Sequence, residues 1–147
     1  MKRKGSLFEQ IFFTEALKQG LEVFVPLGDY LPQDCIVMNR AGRSFRVQIK
    51  GTSGIVKDRS RTGIGRYMVT AATGSMAKDP IDCSKVDVLA AYVEPMESWY
   101  IIPTLHLDGA VRISMYPHNP KSKAKHEQFK DNWNPFKINW EMLVLIC

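Results

Sequence analysis

Asp34, Gln48 and Lys50 are spaced so that two neighbouring strands would bring them together. Segment 43–50 alternates, with Phe45, Val47 and Ile49 on one side and Arg46, Gln48 and Lys50 on the other. The preceding Arg40-Ala41-Gly42 suits a three-residue hairpin loop, a type I turn closed by a left-handed residue at Gly42. In that register Asn39 pairs with Arg43 and Asp34 lies opposite Gln48, and directly opposed residues share a face. A two-residue Ala41-Gly42 loop would instead set Asp34 against Ile49 and put an acid on the apolar face, so the first register is preferred. Cys35 and Val37 then join the core side.

An acid, a side-chain amide and a lysine in this arrangement suit phosphodiester hydrolysis. Asp34 can ligate a hard divalent cation, and the Gln48 carbonyl or a nearby backbone carbonyl can add oxygen. Mg²⁺ there would polarise a scissile phosphate and lower the pKa of a bound water. Lys50 would orient that water and balance developing charge. The same residues also admit a purely structural reading, with Asp34 capping a loop and Gln48 and Lys50 solvated on a strand.

The elements that must position them follow from pattern. Ser6 and Glu9 form a capping box, Ser6 as N-cap and Glu9 at N3. Helical spacing then places Phe8, Ile11, Phe12, Ala16 and Leu17 on one stripe, and Gly20 ends the helix. Strands are expected over 21–25, 34–39, 43–50, 67–72, 86–93, 99–102 and 111–116. A polar helix is expected over 122–132, and the apolar tail 138–146 is expected to pack back as strand or short helix. Helix, strand meander and helix define a mixed α/β or α+β chain, with residues 1–147 forming a single domain.

The 147 residues suffice to bury a core, and 45% hydrophobic with 24% charged residues excludes collagen, coiled coil and wholesale disorder. No apolar run is long enough to span a membrane. Segment 7–17 is broken by Glu9, Gln10, Thr14 and Glu15, so no signal peptide is expected. Cys35, Cys83 and Cys147 are odd in number and widely spaced, which predicts neither a disulfide framework nor a zinc site. The cytoplasm is the expected compartment.

The net charge of +5 is unevenly spread. Between Arg40 and Arg66 eight basic residues face the single acid Asp58, and Lys121, Lys123, Lys125 and Lys130 form a second run. Clustered cations make a footprint for phosphates. Lys57, Arg59, Arg61 and Arg66 are the sharpest candidates for DNA contacts, in a loop with almost no apolar anchor. His106, His118 and His126 are scattered and expected at the surface. Trp99, Trp133 and Trp140 are expected in the core, with Trp133 beside Lys130 also open to a DNA or interface role.

Helix residue Glu9, the run Val23 to Asp29, Asp34 and Gln48-Ile49-Lys50 together resemble the PD-(D/E)XK nuclease superfamily, and more narrowly its group I intron-associated homing endonucleases. Asp87-Val88-Leu89-Ala90-Ala91-Tyr92, Trp99-Tyr100-Ile101-Ile102-Pro103 and Phe129-Lys130-Asp131-Asn132-Trp133 extend the resemblance to about Lys4 through Trp133. It implies an αβββαβ core with a central mixed sheet flanked by helices. It also implies divalent-metal-dependent cleavage of double-stranded DNA, with Mg²⁺ or Mn²⁺, by a homodimer or homotetramer. Carried over by residue, Asp34 would be the central metal ligand, Glu9 would help hold metal or water, Gln48 occupies the (D/E) position and Lys50 is the motif lysine. Glu9, Asp34, Gln48 and Lys50 are thus the candidate catalytic set, and Glu9, Asp34 and Gln48 the candidate metal ligands. Two residues depart from the pattern: Gln33, not proline, precedes Asp34, and Gln48 is an amide where a carboxylate is usual. A Holliday-junction-resolvase-like nuclease and a non-cleaving DNA-binding protein on a nuclease scaffold are the alternatives.

Overall fold

The computed structural model describes residues 2–28, 30–57, 63–73 and 79–137. One helix, α1 (Lys2–Lys18), precedes nine strands: β1 (Glu22–Phe24), β2 (Cys35–Met38), β3 (Ser44–Thr52), β4 (Tyr67–Thr70), β5 (Ala72–Thr73), β6 (Asp79–Pro80), β7 (Val88–Val93), β8 (Ser98–Pro103) and β9 (Arg112–Met115). The main sheet has five strands in the order β1-β2-β3-β7-β8. Strands β1, β2 and β3 run as an antiparallel meander, β3 and β7 pair in parallel, and β8 returns antiparallel to β7. This is the mixed α/β architecture with a central mixed sheet that the sequence suggests. The β3–β7 crossover contains no second α-helix among the described residues; β4, β5 and β6 occupy it instead.

The sheet is covered on both faces, which is why all six residues of β7 are buried. On one face Phe8, Phe12 and Ala16, at helical spacing of four, pack against Cys35, Val37, Phe45, Val47 and Ile49. Phe12 also stacks on Trp133, with ring centroids 5.6 Å apart. On the other face Leu89, Ala91, Tyr100 and Ile102 meet Tyr67, Val69, Ile113 and Met115 from the β4–β9 pair.

The hairpin follows the three-residue reading. Gly42 has φ +82°, its N–H donates to Asn39 O at 2.9 Å, and Asn39 N–H donates to Arg43 O at 2.9 Å. Cys35 then pairs with Val47 and Val37 with Phe45.

Several expectations are corrected. Helix α1 begins at Lys2, so Ser6 is interior and no capping box forms; the straight-chain residues Lys2, Arg3 and Lys4 carry the helix back past Gly5. Leu17 is 57% exposed, off the narrow stripe of Phe8, Phe12 and Ala16. The helix expected over 122–132 is reduced to a single 3₁₀ turn, Glu127–Phe129. There Asp131 takes a left-handed φ of +50° and donates its N–H to Trp99 O at 2.6 Å, which a continuing helix would forbid. Trp133, by contrast, is buried in the core as expected. His126 is buried too, contrary to its surface expectation. Cys83 is disulfide-bonded, a pairing that an odd, scattered count does not predict. Trp140 and the tail 138–146 lie outside the described residues. No helix among those described is long and apolar enough to cross a membrane.

Candidate active site

Asp34 sits one residue before β2, where its N–H donates to Val47 O at 2.8 Å. The ladder itself ends at Cys35 opposite Val47, so Asp34 lies just beyond it. Its Oδ2 accepts the Ile49 N–H at 2.7 Å, so the carboxylate lies over the peptide that follows Gln48. A charge-assisted bond of this kind fixes the acid more firmly than a neutral one.

Gln48 and Lys50 project from the face of β3 opposite α1, beside Leu89 and Ala91 of β7 in the parallel register. Gln48 is buried, and its Oε1 has no hydrogen-bond partner among the described residues. Lys50 is half-buried, and its side chain makes no ion pair or hydrogen bond among the described residues. Two residues before Gln48 on the same face, Arg46 grips Asp87 through two bonds, Nε to Oδ2 at 3.0 Å and Nη2 to Oδ1 at 2.9 Å. The Arg46 N–H also donates to Asp87 Oδ2 at 2.8 Å, and Nη1 donates to Ser84 O at 2.8 Å. The Asp87 carboxylate therefore holds the guanidinium more firmly protonated than usual. Arg46 is thus a brace between β3 and the start of β7, and it leaves the basic cluster that the sequence suggested for phosphates.

Glu9, half-buried on α1, follows Phe8, whose ring lies over Gly51 of β3. A Cβ at position 51 would come within 2.4 Å of Phe8 Cδ2. The missing side chain lets α1 descend onto β3 at this point, as a glycine inside a strand often does for a close approach. Cys35 records the electrostatic result. Burial pushes its thiol up to about 12, with the fields of Asp34 and then Glu9 adding to the shift. Both carboxylates therefore oppose ionisation of this buried thiol. Cys35 is a neutral core thiol, as its register implied.

The basic loop leaves β3 beyond Thr52. Its stem is closed by Val56 and Arg66, which exchange N–H···O bonds of 2.7 and 2.9 Å. Lys57 and Arg66 are exposed; Arg59 and Arg61 lie outside the described residues. His118 fastens the stem from the other side through Nε2 and Gly65 O, 2.8 Å apart.

Among the described residues no three His, Cys, Asp or Glu side chains are grouped to hold a metal ion. Asp34 offers a carboxylate, and the orphaned Gln48 Oε1 is a neutral oxygen of the kind that fits a hard cation. Sequence reasoning missed the Arg46–Asp87 brace and the role of Gly51. Only the second left a local signal, a glycine within an otherwise alternating strand.

Helix, mixed sheet and a hairpin bearing Asp34, Gln48 and Lys50 are the framework of a nuclease. The chain belongs to the PD-(D/E)XK endonuclease family, whose model matches residues 1–136. Among solved structures it is similar to a bacterial homing endonuclease, I-Ssp6803I, at 25% identity and a TM-score of 0.67, over 91% of this chain and 90% of that one. No curated protein sequence matches it.

Proposed function

We propose that the chain is a divalent-metal-dependent endonuclease hydrolysing phosphodiester bonds in double-stranded DNA, site-specific and of the homing type. The observation that carries this reading is Gln48 Oε1, a buried acceptor without a partner among the described residues, on the strand that pins Asp34. Such an atom costs about 1–3 kcal/mol when left unpaired, and a bound cation relieves that cost. Glu9, Asp34 and Gln48 would hold Mg²⁺ or Mn²⁺, which when bound supplies Lewis-acid polarisation of the phosphate and a more acidic water.

The protein's own groups divide the remaining work. Asp34, fixed by the Ile49 amide, presents a carboxylate in one orientation. Gln48 adds oxygen without charge, so Glu9 and Asp34 supply the negative charge of the site. Lys50, unpaired among the described residues, holds the attacking water and offsets charge growing on the phosphate oxygens. Lys57, Arg59, Arg61 and Arg66 contact the DNA beside it. The likeness to a bacterial homing endonuclease supports this type over a junction resolvase. A chain of 147 residues covers only part of a long site, so a homodimer or homotetramer on a pseudo-palindromic target follows.

The test is incubation with supercoiled plasmids carrying randomised inserts, and with a four-way junction, in Mg²⁺, Mn²⁺ or EDTA. Nicked and linear plasmid appearing only with metal is the expected result. Binding without cutting in either metal would overturn the reading in favour of a non-cleaving DNA-binding protein. Cutting confined to the junction would make it a resolvase.

A further inference from the structure

Strands β4 and β9 form a two-stranded antiparallel ribbon whose two faces differ in character. Tyr67 pairs with Met115 and Val69 with Ile113, and these four are buried against the main sheet. The alternate pairs, Met68 with Ser114 and Thr70 with Arg112, point outward. Thr70 and Arg112 are exposed, and Arg112 has no ion-pair or hydrogen-bond partner among the described residues. The same parity carries exposed Arg66 and half-buried Tyr116 to the ends of the two rows. The inner face rests on Leu89 and Ala91, the β7 residues that register with Gln48 and Lys50, so the ribbon flanks the candidate active site.

We propose that the outward face of this ribbon reads bases in the major groove beside the cut, with Arg112 as a specificity-determining residue that grips a guanine edge. The inference rests on the DNA-endonuclease reading and names the element that would give it sequence preference. Paired strands lie about 4.8 Å apart, and a groove about 12 Å wide admits a two-stranded ribbon. Outward residues recur about every 6.8 Å along a strand, which matches two base-pair steps of about 3.4 Å. Each row therefore keeps step with every second base pair. The outward rows carry no acid. Exposed Lys57 lies by the Arg66 end, and exposed Lys121 and Lys123 follow β9 in the segment that His118 ties to Gly65. Cations thus flank the ribbon where the two phosphate backbones bordering a groove would run. Within the rows, Arg112 has the planar fork that matches guanine O6 and N7, and Thr70 beside it offers a hydroxyl and a methyl.

The test is a binding selection from a pool of randomised duplexes without divalent metal, using the whole protein and its Arg112→Ala, Arg112→Lys and Thr70→Ala variants. The parent should enrich a motif containing a guanine that Arg112→Ala no longer selects, with preference there falling roughly 5- to 150-fold and the rest of the motif retained. Arg112→Lys should restore affinity but not the guanine. Thr70→Ala should alter only a neighbouring position. Equal weakening on all duplexes with a shallower salt dependence would make Arg112 a phosphate contact and overturn the proposal. So would an unchanged motif, or a parent that enriches none. Since the selection needs no cleavage, plasmid cutting in Mg²⁺ judges the nuclease reading separately. Arg112 has no partner to lose among the described residues, so matching thermal melts should certify the variants as folded.

Discussion

Asp34 is held by the strand opposite it: the Ile49 N–H donates to Asp34 Oδ2 at 2.7 Å. The acid is thereby fixed by the chain that also carries Gln48 and Lys50, and its charge and its hydrogen bond can be tested apart. Asp34→Asn keeps an oxygen for the Ile49 amide but loses the charge. It should reduce plasmid cleavage to background while stability falls by about 1 kcal/mol. Asp34→Ala leaves that amide unpaired and should cost about 1–3 kcal/mol in urea unfolding. Lys50→Ala should abolish cleavage with stability changed by less than about 0.5 kcal/mol. An Asp34→Asn protein that cuts at the parental rate would remove Asp34 from the site.

Gln48 separates stability from activity in the opposite sense. Gln48→Met removes a buried acceptor that has no partner among the described residues. Melting temperature without metal should stay level or rise, while cleavage disappears. Gln48→Glu adds a charge to the ligand set and should bind Mg²⁺ at least as tightly. Calorimetric titration showing weaker Mg²⁺ binding in that variant would mean that Gln48 is not a ligand.

Gly51→Ala should act at a distance on Glu9. The new Cβ meets the Phe8 ring at 2.4 Å, and Phe8 precedes Glu9 on α1. Overpacking of this kind costs about 1–3 kcal/mol. In a Phe8→Leu background the same substitution should cost less, a coupling visible in a double-mutant cycle. Additive costs would show that the helix does not rest on Gly51.

His126 should make the fold acid-sensitive. Burial lowers its pKa from 6.5, Lys125 and His106 add to that shift, and Asp108 opposes it. The folded chain thus favours the neutral ring, while the unfolded chain takes up a proton near 6.5. The unfolded state binds more protons between those values, so stability is greatest above the unfolded pKa and falls as pH drops through the lowered one. Urea midpoints measured across that range should decline toward acid, and His126→Leu should flatten the slope.

The hairpin was legible because its information is local. Alternation over β3 and the glycine at position 42 carry both register and face, so the sequence places Gln48 and Lys50 on one side of β3. Segment 122–132 was misread because its conformation is set from afar. Glu127 accepts from the Tyr100 hydroxyl at 2.8 Å and the Tyr116 N–H at 3.2 Å, and Asp131 accepts from Trp99 N–H at 2.9 Å. Those partners lie on or next to β8 and β9, outside any helical window. The start of α1 was misplaced for the reverse reason, since Ser6 and Glu9 match a cap locally while Lys2 to Lys4 simply continue the helix. Arg46 reads as a free cation in the sequence because its partner Asp87 is 41 residues away.

That separation also orders events in time. Asp34, Gln48 and Lys50 belong to one hairpin, whose short loop can close on a microsecond scale. The parallel pairing of β3 with β7, and the Arg46–Asp87 grip at its start, must wait for a far longer loop to close against its entropy. The hairpin half of the candidate site is therefore assembled from nearby sequence, and its floor at Leu89 and Ala91 is added late. Substitutions in the hairpin should slow refolding, whereas Asp87→Asn should chiefly hasten unfolding.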